Sequence, residues 1–404
     1  MCVFKMLFTP AFFMTVLLIA SLIAVSCALA ASGVNQKDGH SHKDGHSHSL
    51  PHSSGDMPDT GRAAPELQRV SYMSTATGEE RDYLVYLPEG YGPAVDSGES
   101  AESAESAESA ESAESGWPVL LFLHGNGERG NARDELDYVM IHGPLYEAWV
   151  RKRNLPFVIV APQLPMYGMD ERHDYIANRT PDMIPRRLDE GVPPRRPASL
   201  PAFPMDGAPS VDPSADPEAM PHPPEGPPDG WYRLERDLMD ILDQVEEQFL
   251  VDADRVYLTG ISYGGFGTWH IAARHPERFA AIAPVVGYGH PDGVAPIAAH
   301  CLPVWCFVGG RDMVVEPRFF YPAMNRLQEL GHTGIRLTTH EDMGHDAWVR
   351  VYGGQDLYDW LLEHRRGERA GDRRLEGRDD RNGDATDDRN GDGNGGLNGD
   401  DTGV

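Results

Sequence analysis

Three residue types that together perform nucleophilic catalysis occur along the chain in the order Ser262, Asp312, His345. A serine hydroxyl is a poor nucleophile until an imidazole removes its proton, and a carboxylate on the other ring nitrogen fixes the imidazole tautomer. Each of the three residues comes shortly after a predicted strand, where open α/β sheets build their sites. We therefore predict that Ser262 is a nucleophile, Asp312 an acid and His345 a base.

The segment around Ser262 has the pattern of a nucleophile elbow. Gly260-Ile-Ser262-Tyr-Gly264 fits G-x-S-x-G, with a short buried strand predicted at 256–258 and a helix at 263–274. The sharp turn lifts the serine hydroxyl clear of the sheet, and the glycines remove side chains that would clash across it. The alternative is a Gly/Ser turn that only joins two elements.

A glycine-rich turn, His124-Gly-Asn-Gly-Glu-Arg-Gly130, follows the continuous apolar run 117–123, which predicts a buried central strand. A phosphate-binding loop is excluded because no Gly-Lys-Ser/Thr follows the glycines. The turn fits an oxyanion hole instead. Its predicted donors are the N–H groups of Asn126 and of Tyr263, the residue after the nucleophile.

Nearby residues compete for the acid and base roles. His340 lies within or beside the last predicted strand, and Asp342 and Asp346 flank His345. A carboxylate one residue away reaches the far side of the imidazole poorly, so Asp312, on a separate loop, has the better geometry. The alternative for both His345 and Asp312 is an ordinary polar loop residue.

Alternating strand and helix patterns predict a mostly parallel central sheet with helices on both faces, opened by an antiparallel hairpin. The hairpin is predicted at 70–74 and 82–87. Further strands are predicted at 117–123, 157–161, 256–258, 279–286, 304–308 and 335–339. Helical spacing occurs at 134–152, 231–249, 263–274, 318–330 and 355–364.

Composition divides the chain into four segments. Residues 1–30 are predicted to be a signal peptide, 31–65 a His-rich disordered linker, 66–366 the α/β domain, and 367–404 an acidic disordered tail rich in Gly, Asn and Asp. The domain carries a low-complexity insertion at 96–116 and a proline-rich insertion at 164–229. The proline-rich insertion is either a flap over the site or a bystander.

The N-terminal segment predicts export. Lys5 precedes an apolar run at 6–24, and Ala28-Leu-Ala30 fits a cleavage site. Two alternatives keep an anchor: Ala24-Val-Ser-Cys27 resembles a lipobox, and the apolar run is long enough to span a bilayer. Free secretion is preferred to either anchor. The only membrane contact considered is through such an N-terminal anchor.

Charge excludes some partners. The chain has 63 acidic and 35 basic residues, a net charge of −28, which argues against nucleic acid and anionic membrane surfaces. Five histidines between residues 40 and 52 either bind a transition metal or lie in a solvated linker, and the linker is preferred. Asp388-Arg-Asn390-Gly-Asp392-Gly393 copies half of a calcium loop, but its twelfth position is Gly399. No metal or organic cofactor is predicted.

Six runs resemble the exported esterases of the α/β-hydrolase superfamily. They are Leu121-Phe-Leu-His-Gly-Asn-Gly-Glu-Arg-Gly130, Pro156-Phe-Val-Ile-Val-Ala-Pro-Gln163, 255–269, His275-Pro-Glu-Arg-Phe-Ala-Ala281, Pro303-Val-Trp-Cys-Phe-Val-Gly-Gly-Arg-Asp312 and Met343-Gly-His-Asp-Ala-Trp348. This branch is named phospholipase/carboxylesterase or prolyl-oligopeptidase-like predicted peptidase. It is related to the polyhydroxybutyrate depolymerase and feruloyl esterase group.

The resemblance covers about 66–366 apart from the two insertions. It implies the α/β-hydrolase fold and a triad of Ser262, Asp312 and His345. Two departures bear on substrate choice. Val308-Gly309 stands where related proteins often have His-Gly, and the proline-rich insertion lies where substrate-facing segments vary.

The sequence thus predicts an exported serine hydrolase that cleaves small-molecule or polymer-linked carboxylic esters through an acyl-enzyme. One alternative is a serine peptidase of prolyl-oligopeptidase type, although the sequence shows no propeller repeat. Another is a non-catalytic binding protein that uses the His-rich and acidic tails. Four aromatic residues either line a pocket or fill the core: Phe266, Trp269, Tyr288 and Trp348.

Overall fold

The computed structural model describes residues 63–92, 116–193 and 216–367. The predicted signal peptide lies outside these ranges. So do nearly all of the His-rich linker, the low-complexity insertion and the acidic tail, and the middle of the proline-rich insertion. Within the described ranges, no helix is long and apolar enough to cross a membrane.

Eight strands form one sheet. They are β1 (Glu66–Met73), β2 (Glu80–Leu87), β3 (Trp117–Leu123), β4 (Val158–Pro162), β5 (Val251–Ile261), β6 (Ala281–Val285), β7 (Val304–Gly309) and β8 (Ile335–His340). Their order is β1-β2-β4-β3-β5-β6-β7-β8. Strand β2 is antiparallel to β1 and β4, and all other neighbours are parallel. The predicted hairpin and mostly parallel sheet are confirmed.

The α-helices are α1 (Gly143–Leu145), α2 (Met169–Arg172), α3 (Asp174–Ala177), α4 (Glu235–Gln248), α5 (Tyr263–Arg274), α6 (Ala295–Ala299), α7 (Tyr321–Glu329), α8 (Trp348–Gly353) and α9 (Asp356–Leu362). Short 3-10 turns cover Asn126–Glu128, Leu136–Met140, Pro181–Met183, Pro217–Ala219, Trp231–Leu234, Pro276–Arg278, Pro317–Phe320 and His345–Ala347.

Two apolar cores lie on opposite faces of the sheet, because successive side chains of a strand alternate between faces. On β3, Val119 and Leu121 join one core, and Leu120 and Phe122 join the other. Helices α4 and α5 contribute to the first core and α8 and α9 to the second. Helices therefore cover both faces, as the alternating pattern predicts.

The helical spacing at 134–152 does not form one helix. A 3-10 turn at Leu136–Met140 is followed by α1 and then by a π-helical turn at Tyr146–Val150. Gly143 has φ +87°, a left-handed conformation, and Pro144 has no N–H for a helical hydrogen bond. The chain therefore leaves the helical path between the turns Leu136–Met140 and Tyr146–Val150.

Candidate active site

Ser262 lies in the turn between β5 and α5 with φ +52° and ψ −113°. A non-glycine residue rarely takes positive φ, and surrounding contacts hold it here. Its N–H donates to the Val285 carbonyl oxygen over 3.0 Å. A Cβ on Gly264 would overlap the Leu123 carbonyl oxygen, and one on Gly260 would overlap the carbonyl of Gly264. The glycines of the elbow are thus required by the close approach of β3, β5 and α5.

His345 lies in the 3-10 turn after β8 and joins the other two predicted residues. Its Nε2 lies 2.9 Å from Ser262 Oγ, and its Nδ1 lies 2.7 Å from Asp312 Oδ2. Asp312 follows β7 and is buried, and its Oδ1 accepts the N–H groups of Val314 and Val315 at 2.8 and 2.9 Å. This network assigns the proton to Nδ1 and leaves Nε2 to accept the serine hydroxyl proton.

The rival residues are used elsewhere. The His340 ring is buried and stacks on Phe307 with ring centroids 6.4 Å apart, and burial lowers its pKa to about 4. Asp342 accepts two hydrogen bonds from Arg350, both 2.7 Å long, and this pairing lowers the pKa of Asp342. The Asp346 side chain is exposed. The carboxylate that reaches the far side of the His345 ring is that of Asp312.

Asn126 and Tyr263 each begin a helical turn at the edge of the sheet where Ser262 lies. Asn126 is the first residue of Asn126–Glu128, and Tyr263 is the first residue of α5. The first N–H groups of a helix have no acceptor inside it, and a helix N-terminus favours negative charge. The Asn126 side chain is engaged: Oδ1 accepts from Arg129 Nε, and Nδ2 donates to the Tyr175 hydroxyl over 2.7 Å. With the side chain held by these two partners, the backbone N–H remains the predicted oxyanion donor.

The described flanks of the proline-rich insertion pack against this region. Tyr175 hydrogen bonds Asn126, and His222 stacks on Tyr288 with ring centroids 6.1 Å apart. The His222 ring also meets the edge of Phe266, 5.4 Å between centroids. Composition did not single out Tyr175 and His222, because no periodic pattern marks either residue.

The four aromatic residues left open by the sequence divide between core and site. Phe266, Trp269 and Tyr288 are 4–5% exposed, and Trp269 Nε1 donates to the Gly287 carbonyl oxygen over 3.1 Å. Trp348 is half-buried, and its ring meets that of His345 edge-on at 5.3 Å. Trp348 therefore borders the predicted base.

A cluster of titratable groups that the sequence did not reveal lies beneath the glycine-rich turn; His124 and Glu128 are buried, and His142 is half-buried. The Glu128 carboxylate lies 3.9 Å from His124 Nδ1 and 3.8 Å from His142 Nε2. Burial raises the pKa of Glu128 to about 7 and lowers those of His124 and His142 to about 3 and about 4. The only sequence signal is an acidic residue between glycines 127 and 130. Over the described ranges, no three His, Cys, Asp or Glu side chains are placed to hold a metal ion.

Parts of the chain are similar to known proteins. The model of the prolyl oligopeptidase family matches residues 233–292, which include Ser262. Acylamino-acid-releasing enzyme 2 of Oryza sativa subsp. japonica is 38% identical over 84 residues, 20% of this chain and 11% of that protein. A bifunctional acetylxylan esterase/xylanase of Neocallimastix patriciarum is 40% identical over 47 residues, 12% of this chain and 7% of that protein.

A crystal structure of a thermostable esterase matches with 21% sequence identity and a TM-score of 0.43, covering 74% of this chain and 63% of that one. The matched segments span about a tenth of the curated relatives or less. The strand order and the family match together confirm the α/β-hydrolase fold predicted from the sequence.

Proposed function

We propose that this protein is an exported serine hydrolase that cleaves carboxylic esters through a covalent acyl-enzyme. The observation that carries the proposal is the continuous hydrogen-bonded chain from Ser262 through His345 to Asp312. It supplies an activated nucleophile, a base and an orienting carboxylate in one place. Export rests on residues 1–30, and N-terminal sequencing of the mature protein tests it.

In the first half of the reaction, Ser262 Oγ attacks the ester carbonyl carbon while His345 Nε2 takes the hydroxyl proton. The carbonyl oxygen becomes an oxyanion and accepts hydrogen bonds from the N–H groups of Asn126 and Tyr263. The tetrahedral intermediate collapses, the C–O bond to the alcohol breaks, and His345 gives the proton to the departing alcohol oxygen. Asp312 stabilises the imidazolium in between.

In the second half, a water molecule takes the place of the alcohol. His345 removes one of its protons, and the resulting oxygen nucleophile attacks the acyl carbon on Ser262. Collapse of the second tetrahedral intermediate breaks the bond to Oγ, and His345 returns the proton to Ser262. The products are a carboxylic acid and the free enzyme, and no metal or cofactor takes part in these steps.

A serine peptidase is the second candidate, because the family match at residues 233–292 is to prolyl oligopeptidases. The same triad cleaves amides when the leaving amine is protonated by the histidine. The 40% identity to a bifunctional acetylxylan esterase/xylanase over 47 residues supports the ester substrate. The leaving group, an alcohol or an amine, distinguishes the two activities.

The test is hydrolysis of p-nitrophenyl acetate, butyrate and octanoate, a feruloyl ester and a prolyl p-nitroanilide by wild type and Ser262→Ala. We expect ester turnover in the wild type and a loss of about 10⁴-fold or more in the variant. Folding of both proteins is checked by circular dichroism. Anilide cleavage without ester cleavage would establish the peptidase. Ester turnover retained by Ser262→Ala, or no turnover by folded wild type, would contradict the proposal.

A further inference from the structure

Arg129 lies wholly buried at the end of the glycine-rich turn, with an exposed fraction of 0%. Its Nε donates to Asn126 Oδ1 over 2.6 Å, and its guanidinium lies over the Tyr263 ring, 4.8 Å from the centroid. Its Nη1 and Nη2 donate to the carbonyl oxygens of Pro165 and Asp229 at 2.9 and 2.8 Å. One side chain therefore contacts four residues, three of them outside its own turn.

These four partners belong to two functional groups. Asn126 and Tyr263 are the residues whose backbone N–H groups face the oxyanion in the proposed reaction. Pro165 and Asp229 lie at the two ends of the proline-rich insertion. A planar guanidinium with five donors in a fixed fork holds such partners in one relative position, which a flexible ammonium does not.

The charge of Arg129 is not balanced by a direct ion pair. Across the described ranges, no carboxylate lies within ion-pair distance of it, and the Asp229 carboxylate is bound by Arg172 and Arg233 at 2.9 and 2.5 Å. Burial lowers the pKa of Arg129 to about 10, so the guanidinium stays charged at neutral pH. In a site shielded from water, such a charge interacts more strongly with a developing anion than it would in solution.

We propose that Arg129 is a positioning residue of the oxyanion hole, which fixes Asn126 and Tyr263 against both ends of the insertion and favours negative charge on the substrate oxygen. This inference rests on the proposed function. Arg129 acts through Asn126 and Tyr263, so its effect belongs to the transition state. It therefore lowers kcat more than it changes KM.

The test compares Arg129→Met with Arg129→Lys and with a matched control, Arg172→Met. Arg172 also holds the insertion, and its hydrogen bonds within the described ranges go to the Gly168 and Tyr167 carbonyl oxygens and to the Asp229 carboxylate. With p-nitrophenyl butyrate, Arg129→Met is expected to lower kcat roughly 30- to 300-fold with KM within about threefold of wild type. Arg129→Lys keeps the charge and should recover part of the loss, and Arg172→Met should stay within about threefold.

A second readout uses phenylboronic acid, which forms a tetrahedral anionic adduct with a reactive serine. If Arg129 supports the oxyanion hole, the inhibition constant of phenylboronic acid rises in Arg129→Met in parallel with the fall in kcat/KM. An unchanged kcat, a rise in KM alone, or an equal loss in Arg172→Met would overturn the proposal. If Arg129→Met does not fold, Arg129→Lys takes its place in the same comparison, because lysine keeps the charge but lacks the planar fork of donors.

Hydrogen exchange separates this proposal from the proposed function. In Arg129→Met, the amides of Asn126–Glu128 and Tyr263 should exchange faster than in wild type, and in Arg172→Met they should not. If folded wild type hydrolyses no ester, the proposed function fails, and this comparison still decides whether Arg129 positions the two donors. Equal exchange in all three proteins would overturn the positioning role.

Discussion

Replacing Glu128 with glutamine is expected to change how the free energy of unfolding depends on pH. Glu128 is 5% exposed, and the ion-pair contacts of its carboxylate are the ring nitrogens of His124 and His142, at 3.9 and 3.8 Å. Since burial penalises the charged form, the pKa of Glu128 rises from its ordinary 4.5 to about 7. Glutamine has nearly the same shape and no charged form.

The size and sign of the effect follow from the two pKa values. Between pH 4.5 and 7 the folded protein keeps a proton that the unfolded chain has lost. The contribution of Glu128 to stability is therefore full below pH 4.5 and is lost as the pH rises through about 7. The pKa shift corresponds to a loss on the order of 3 kcal/mol. The lowered pKa values of His124 and His142 act in the opposite direction: their contribution is present above pH 6.5 and is lost as the pH falls.

The histidine contributions remain in Glu128→Gln, so the difference between variant and wild type isolates the glutamate. We expect the unfolding free energy of the variant, relative to wild type, to rise by about 3 kcal/mol between pH 4.5 and pH 8. Urea unfolding followed by tryptophan fluorescence at pH 4.5, 6 and 8 measures it. Glu147→Gln is the control, since Glu147 is buried and bonded to Arg151 and Arg153 at 3.3 and 3.1 Å. At pH 8 this control should lose stability.

A difference between Glu128→Gln and wild type that stays constant from pH 4.5 to pH 8 would refute the reasoning. It would mean that the carboxylate is as well solvated in the folded protein as in the unfolded chain. A change of the opposite sign would show a stabilised carboxylate, which requires a cationic partner in place of the neutral histidine rings.

Two further substitutions test the site and the elbow. Asp312→Asn is expected to lower kcat about 10⁴-fold, because the amide no longer holds the tautomer of His345 in which Nε2 is free. It is measured with p-nitrophenyl butyrate beside Asp346→Asn, which should keep near-wild-type turnover. Gly264→Ala places a Cβ on the Leu123 carbonyl oxygen and should prevent formation of a stable fold, whereas a Cβ at Gly127 meets only ordinary contact at 3.8 Å. Thermal unfolding of Gly264→Ala and of the control Gly127→Ala measures the difference, and equal unfolding midpoints would contradict the prediction.

Most of the fold could be predicted because its elements leave local patterns. The apolar run at 117–123 is strand β3 to the residue, and the helix predicted at 263–274 is α5 to the residue. The helix predicted at 134–152 was wrong because the backbone at Gly143 and Pro144 departs from the helical path. The spacing of apolar residues carries no information about such a departure. Helix α8 was missed because the segment after His345 is short and lacks a long apolar face.

The candidate site divides in the same way. Residue type, order and position after strands indicated Ser262, Asp312 and His345 before any geometry was known. Only the folded chain shows that the Asp312 carboxylate lies beside the far ring nitrogen of His345, whereas the Asp342 carboxylate accepts hydrogen bonds from Arg350. The environment of Glu128 has no local signal, since desolvation depends on groups brought from other segments.

By itself, the sequence predicted the eight strands in their order along the chain, the helix after Ser262, the G-x-S-x-G elbow and the three residues of the hydrogen-bonded chain. Each of these depends on the residue itself or on its near neighbours. The tertiary structure alone decided that Arg129 joins Asn126 and Tyr263 to Pro165 and Asp229. These partners are up to 134 residues from Arg129, and no periodic pattern in the chain encodes contacts across such a separation.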